Sequence, residues 1–133
     1  MNSPTRTEQV FLILTALADG PRHGYGIVQE VEQLSEGRTR LKVGTLYGAL
    51  DRLSTEGLLE PDRDEVESGR LRRYYRLTER GVAALTEDTE RMAANARAAA
   101  QRLSARGVRV RMPSVGTGTT GMPGTTGIAG GAA

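Results

Sequence analysis

Val43-Gly44-Thr45-Leu46-Tyr47-Gly48-Ala49-Leu50-Asp51-Arg52-Leu53 runs on into Ser54-Thr55-Glu56-Gly57-Leu58, and these sixteen residues decide the fold. Val43, Leu46, Leu50 and Leu53 recur at steps of three and four, the spacing of one helix face. The pattern predicts a helix over 43–56 with those four side chains inward, and Gly57 sits where a left-handed C-terminal cap belongs. The outer side then carries Gly44, Thr45, Gly48, Asp51, Arg52 and Thr55. A glycine inside a helix costs about 1 kcal/mol against alanine, so two on the outer face suggest that something approaches the backbone closely. Taken singly, Gly44 and Thr45 can simply start a helix, and Tyr47 can be a core tyrosine with a wet hydroxyl.

Upstream, two more short helices are expected. One spans about 24–34, with Ile27, Val28, Val31 and Leu34 inward and Ser35-Glu36-Gly37 closing it. The other spans about 7–18, where Thr5-Arg6-Thr7-Glu8 has capping-box spacing and Asp19-Gly20-Pro21 ends the segment. Val10, Phe11, Leu14, Leu17 and Ala18 form one apolar face of this first helix, and Leu12, Ile13 and Ala16 form a second. A helix apolar nearly all round needs cover on both sides. In so small a chain a second copy is the expected second cover.

Downstream the period changes from helical to alternating. Residues 58–66 and 71–77 flank Glu67-Ser68-Gly69-Arg70, a turn-like cluster, and read as a β-hairpin. Strand parity puts Leu71, Arg73, Tyr75 and Leu77 on one face, with Arg72, Tyr74 and Arg76 on the other. Pro61 fits only an edge position or a bulge. Thr78 is placed to cap a long helix reaching about Leu103, along which Val82, Leu85, Thr89, Met92, Ala96, Ala99 and Leu103 form an imperfect heptad-like seam. Mainly α with a small hairpin, in this order, is a winged helix-turn-helix followed by a long dimerisation helix. The expected division is a winged domain over 5–77, the dimerisation helix over 78–103 and a flexible Gly/Thr-rich tail over 104–133.

Charge sharpens the reading only locally. The 133 residues carry a formal +2, but residues 104–133 hold Arg106, Arg109 and Arg111 and no acid, so the first 103 residues sum to −1. Arg38, Arg40 and Lys42 precede the third helix, and Arg70, Arg72, Arg73 and Arg76 occupy the hairpin's tip and second strand. The first strand is the reverse, with Glu60, Asp62, Asp64, Glu65 and Glu67 against Arg63. Those acids are ready partners for the arginines, so a phosphate role and a solvated, paired face both remain open for the wing.

Other chemistry finds no support. There is no cysteine, which excludes disulfides, zinc-thiolate sites and a cysteine nucleophile. His23 is the one histidine, and a capping or turn role suits it better than a metal site. Gly116-Thr-Gly-Thr-Thr-Gly121 matches a dinucleotide-binding pattern without the strand and helix that pattern needs. Val108-Arg109-Val110-Arg111-Met112 reads as a disordered basic tether. No catalytic set, cofactor or metal is expected. No apolar run would cross a bilayer and no signal core opens the chain, so a cytoplasmic protein is expected.

His23-Gly24-Tyr25-Gly26, the 43–53 run, Glu56-Gly57-Leu58 and Arg72-Arg73-Tyr74-Tyr75-Arg76-Leu77-Thr78-Glu79-Arg80-Gly81 together resemble the PadR family of bacterial transcriptional regulators over about residues 8–103. The resemblance implies a homodimer of winged helices, usually a repressor, on a palindromic double-stranded DNA operator. Carried over, it makes Gly44, Thr45 and Tyr47 groove-facing, with Gly48, Arg52, Arg40, Lys42, Arg70, Arg72 and Arg73 around them. The implied dimer interface is Leu12, Ile13, Val82, Leu85, Met92, Ala96, Ala99 and Leu103, and Tyr75 would face inward. Some members of the family answer to small-molecule effectors, including flat aromatic compounds bound between subunits. The absence of Trp, and of any aromatic in the long helix, argues against such a stacking pocket at the dimer centre. The competing reading is a winged helix serving as a protein-interaction or dimerisation module.

Overall fold

A computed structural model describes residues 6–113. Its elements run α1 (Glu8–Ala16), β1 (Arg22–His23), α2 (Gly24–Leu34), α3 (Val43–Thr55), β2 (Leu59–Glu67), β3 (Arg70–Leu77) and α4 (Glu79–Ala105). This is a winged helix-turn-helix with a long C-terminal helix, as expected. Two compact units divide the chain after Asn95. In the second, the described residues complete α4, and 108–113 form neither helix nor strand. Thr5, Gly116 to Gly121 and most of the expected tail lie outside the described residues.

Thr7 starts α1: its side chain accepts a hydrogen bond from Val10 N at 3.2 Å. The cap therefore falls two residues later than capping-box spacing suggested, and Val10 at the third helical position cannot reciprocate as a glutamate would. Leu14, Ile13, Ala16 and Leu17 join Ile27, Val31, Leu46, Leu50, Leu53, Leu58, Leu59 and Tyr75 in one core. Ile13 is only 1% exposed. Its expected place at a dimer interface is thus corrected, because the chain's own core already covers it. Leu12 is half-buried and packs against that core from outside.

Two inward assignments also fail. Leu34 is exposed, since it is the last residue of α2 and the chain turns away beyond it. Val43, the first residue of α3, is 60% exposed. The expected left-handed cap is present. Gly57 has φ 81°, its N–H donates to Ser54 O at 3.0 Å, and Leu58 N donates to Leu53 O at 2.9 Å, which swings the chain into β2.

The sheet has three strands in the order β1-β3-β2, not the two expected. β1 pairs Arg22 with Tyr75 and His23 with Tyr74. Two residues are too few to show any period, so this strand leaves no sequence signal. Pro61 lies on the edge strand β2, beside a register shift between Pro61 and Arg63, so both of its permitted settings are met. The hairpin turn is only Ser68-Gly69, with φ 51° and 77°, while Glu67 and Arg70 still pair. Left-handed backbone at both central residues matches the twist of the flanking strands.

The β3–α4 junction explains the Tyr-x-Leu-Thr-x-x-Gly run. Thr78 Oγ1 accepts from Gly81 N at 3.0 Å, capping α4, and donates to Gly57 O at 2.6 Å. Thr78 N donates to Leu58 O at 3.1 Å. Gly81 is buried so tightly that a Cβ there would collide with the Leu58 carbonyl. On α4, Leu85 packs against the core, whereas Val82, Met92, Ala96, Ala99 and Leu103 are exposed. Asp88 is 3% exposed and accepts from Arg6 and Arg91 at 3.2 and 2.9 Å, fastening the chain start to α4. Nothing in the sequence singled it out, because a lone aspartate on a charged helix looks like solvated surface.

Candidate nucleic-acid interface

Helix α3 is held by Leu46, Ala49, Leu50 and Leu53, all buried. Gly44, Thr45, Gly48, Asp51, Arg52 and Thr55 are exposed, as their spacing predicted. Among the described residues, a Cβ added at Gly44 or Gly48 would meet nothing within 4 Å. Neither glycine has a positive φ, so no turn geometry requires it. The propensity cost of these glycines is therefore not offset by anything among the described residues.

Two depressions flank this glycine face, each of about 350 Å3. The first lies toward α1 and is lined by Thr7, Gln9, Gly44, Thr45, Gly48 and Arg52, among others. The second lies between α2, α3 and the wing, and its lining includes Tyr25, Val43, Tyr47, Arg70, Arg72 and Arg73. The candidate residues thus fall into two sets, one on each side of α3. Arg40 and Lys42 precede the helix and line neither depression.

Tyr47 is 45% exposed, so it is not a core tyrosine. Its phenol lies across the start of α2, where a Cβ at Gly24 would come within 2.9 Å of Tyr47 Cζ and closer still to the hydroxyl. Gly24 thereby seats Tyr47, which gives the His-Gly-Tyr-Gly run a packing reason. His23 is the N-cap of α2: its Nδ1 accepts from Gly26 N at 3.1 Å and faces Arg72 Nη1 at 3.3 Å. Its ring meets Tyr74 edge-on, with centroids 5.2 Å apart. Burial, and then the Arg72 charge, lower its pKa from the ordinary value. The capping role expected of His23 is the one it has.

The wing differs from a bare basic strand. Arg72 meets Glu67 at 3.1 Å, Arg73 meets Asp64 at 3.2 Å, and Arg76 meets Glu60 and Asp62 at 2.8 and 2.9 Å. Hydrogen bonds to those carboxylates raise the pKa of Arg73 and Arg76. Arg63 pairs with Asp62 and Glu65 at 2.8 and 2.6 Å, which lowers the Glu65 pKa, and lies 4.0 Å over the Tyr74 ring. The paired-face reading of these arginines is therefore realised within the chain. Arg40 meets Glu32 at 3.5 Å and Arg38 meets Glu36 at 3.7 Å. Among the described residues, no ion pair involves Lys42, Arg52 or Arg70. These three cations keep their charge available around α3.

Such a surface, with open glycines flanked by unpaired cations, suits a polyanion better than a small acidic substrate. Among the described residues, no group of three or more His, Asp or Glu could hold a metal ion. Among them, too, no helix is long and apolar enough to cross a membrane. Tyr25, Val43 and Leu71 are exposed apolar neighbours of the second depression that sequence reasoning did not place there.

Comparison with known proteins identifies the family. Transcriptional regulator Rv3488 of Mycobacterium tuberculosis is 47% identical over 76 residues, covering 57% of this chain and 67% of that protein. The crystal structure of a PadR family transcription regulator from Clostridium difficile superposes with a TM-score of 0.62 at 28% identity, over 73% of this chain and 99% of that one. Bacillus subtilis PadR, solved in complex with operator DNA, shares the fold at a TM-score of 0.53 and 24% identity, over 59% of this chain and 44% of that one. The model of the PadR-like transcriptional regulator family matches residues 13–87. A winged helix with these motifs over more than half its length belongs to the PadR-like family of transcriptional regulators, which are not enzymes.

Proposed function

We propose that the chain is a homodimeric, sequence-specific DNA-binding repressor. In this reading α3 enters the major groove of a palindromic operator, and two half-sites lie about 34 Å apart. The observation that carries it is the pair of outward glycines on α3 with open space over both, and no need for either, among the described residues. Thr45 faces base edges or phosphate, while Tyr47, Lys42, Arg52 and Arg70 hold the backbone. Arg40, Arg72 and Arg73 contribute less than their number suggests, since carboxylates already engage them. The winged domain (5–77) does the binding, and α4 (expected as 78–103) joins two copies through Val82, Met92, Ala96, Ala99 and Leu103, and Leu12 is a further interface residue. Operator occupancy would block transcription, and a small-molecule effector would release it. The operator complex of the Bacillus subtilis relative supports a DNA partner.

A second reading is favoured by one observation: the wing is neutralised from within, and the first 103 residues carry net −1. On that reading the winged helix is a protein-interaction module. Binding of a labelled duplex from upstream of the chain's own coding region separates the two. Saturable, palindrome-dependent binding by a species of twice the chain mass in sedimentation supports the repressor. No binding at low salt, with the partner remaining a protein, supports the module.

A further inference from the structure

Val43 is the conspicuous side chain of α3. It is 60% exposed, and on the same rim stand Tyr25 and Leu71, 57% and 67% exposed. Apolar surface left in water forgoes about 25 cal/mol for each Å2 that could be buried. The depression they border has Arg70, Arg72 and Arg73 in its lining and no carboxylate. Arg72 and Arg73 are paired with Glu67 and Asp64, but Arg70 in that lining and Lys42 just before Val43 have no ion pair among the described residues. An apolar rim between two open cations fits an apolar group carried by a polyanion. Val43 is also the first residue of α3, directly before Gly44, and the residues opening a recognition helix are those that reach base edges. In the major groove only thymine, among the four ordinary bases, presents a methyl group.

We propose that Val43 is a specificity-determining residue that packs its isopropyl group against the 5-methyl of one thymine in each half-site. The inference rests on the DNA-binding reading above and deepens it. β-Branching leaves Val43 stiff at χ1, so little side-chain freedom is lost on contact. Lys42, the residue before it and free of ion pairs among the described residues, is placed to hold the adjoining backbone phosphate. Gly44, the next residue, carries no side chain to stand between Val43 and an approaching base edge.

The test uses the full chain and the tightest duplex it selects from a random library. Each dT is replaced in turn by dU, which keeps the base pair and removes only the methyl. One symmetry-related pair of positions should lose about fourfold in affinity per half-site, the worth of one buried methyl group. Val43→Ala should abolish that loss at this pair alone, with an unchanged melting temperature because the side chain is largely exposed. The proposal is overturned if the wild-type chain binds every dU duplex like its parent, if the selected site holds no thymine, or if V43A retains the discrimination. Binding without any methyl effect removes the role of Val43 and leaves DNA recognition standing. If no duplex is enriched at all, the DNA-binding reading falls and takes this inference with it.

Discussion

Replacing Gly48 with alanine separates two effects that usually move together. Gly48 is the sixth of thirteen residues in α3, well inside the helix, and the new methyl would meet nothing within 4 Å. Nothing in the fold opposes it, so the helix should gain the full propensity difference, about 1 kcal/mol. For a domain of this size that is a rise of about 4–8 °C in melting temperature. Gly44 lies in the first turn, where its N–H has no intrahelical partner, so Gly44→Ala should stabilise less. In the DNA complex the same methyl would occupy space the duplex needs. Overpacking of a close contact costs about 1–3 kcal/mol, or roughly five- to 150-fold in affinity. Thermal melting and fluorescence anisotropy on one preparation read both numbers. A variant both more stable and weaker in binding is the expected result. If G48A binds DNA as tightly as wild type, close approach is not why the glycine is there. If it melts lower, the space over α3 is not open.

Gly81→Ala should act in the opposite sense, destabilising by about 2–3 kcal/mol because the new Cβ runs into the Leu58 carbonyl; urea unfolding would read it. Folded His23 has a lowered pKa, so it binds protons less readily than the unfolded chain. Its contribution to stability is therefore present above the unfolded value near 6.5 and lost as pH falls through the folded pKa. His23→Asn keeps an N-cap and should flatten the urea midpoint between pH 7 and pH 5, while an unchanged pH profile would contradict the Nδ1 contacts. In DNA binding, Arg52→Ala and Arg70→Ala should each reduce the salt slope by about one. Arg76→Ala, whose guanidinium is held by Glu60 and Asp62, should leave that slope alone.

What the sequence carried well is whatever repeats. The leucines of α3, the alternation of the hairpin and the Thr78 cap all rest on spacing, and spacing survives folding. Val43 was misplaced for a reason within that same arithmetic. Three residues before Leu46 puts it about 60° round the helix, at the margin of the buried arc, where neighbours rather than period decide. Ile13 lies in the core rather than at an interface, and a helix apolar all round does not reveal which side its own core takes. β1 was too short to signal, and the fastening of Asp88 by Arg6 joins residues eighty-two apart. For the wing arginines, spacing leaves both an open and a paired face possible, and only their distances to the facing carboxylates choose between them.

The wing's cross-strand pairs make phosphate binding an exchange rather than an addition. Each of Arg72, Arg73 and Arg76 already has a carboxylate in hand, so a phosphate must displace an anion that is covalently present at a fixed, high local concentration. If the wing meets DNA as proposed, strand β2 acts as a tethered competitor for the DNA backbone. Random duplex offers the wing little beyond what it already has, whereas a site that also satisfies α3 keeps the strand aligned long enough for the exchange to occur. On the proposed DNA-binding reading, the acidic strand would lower affinity for random duplex more than for the operator.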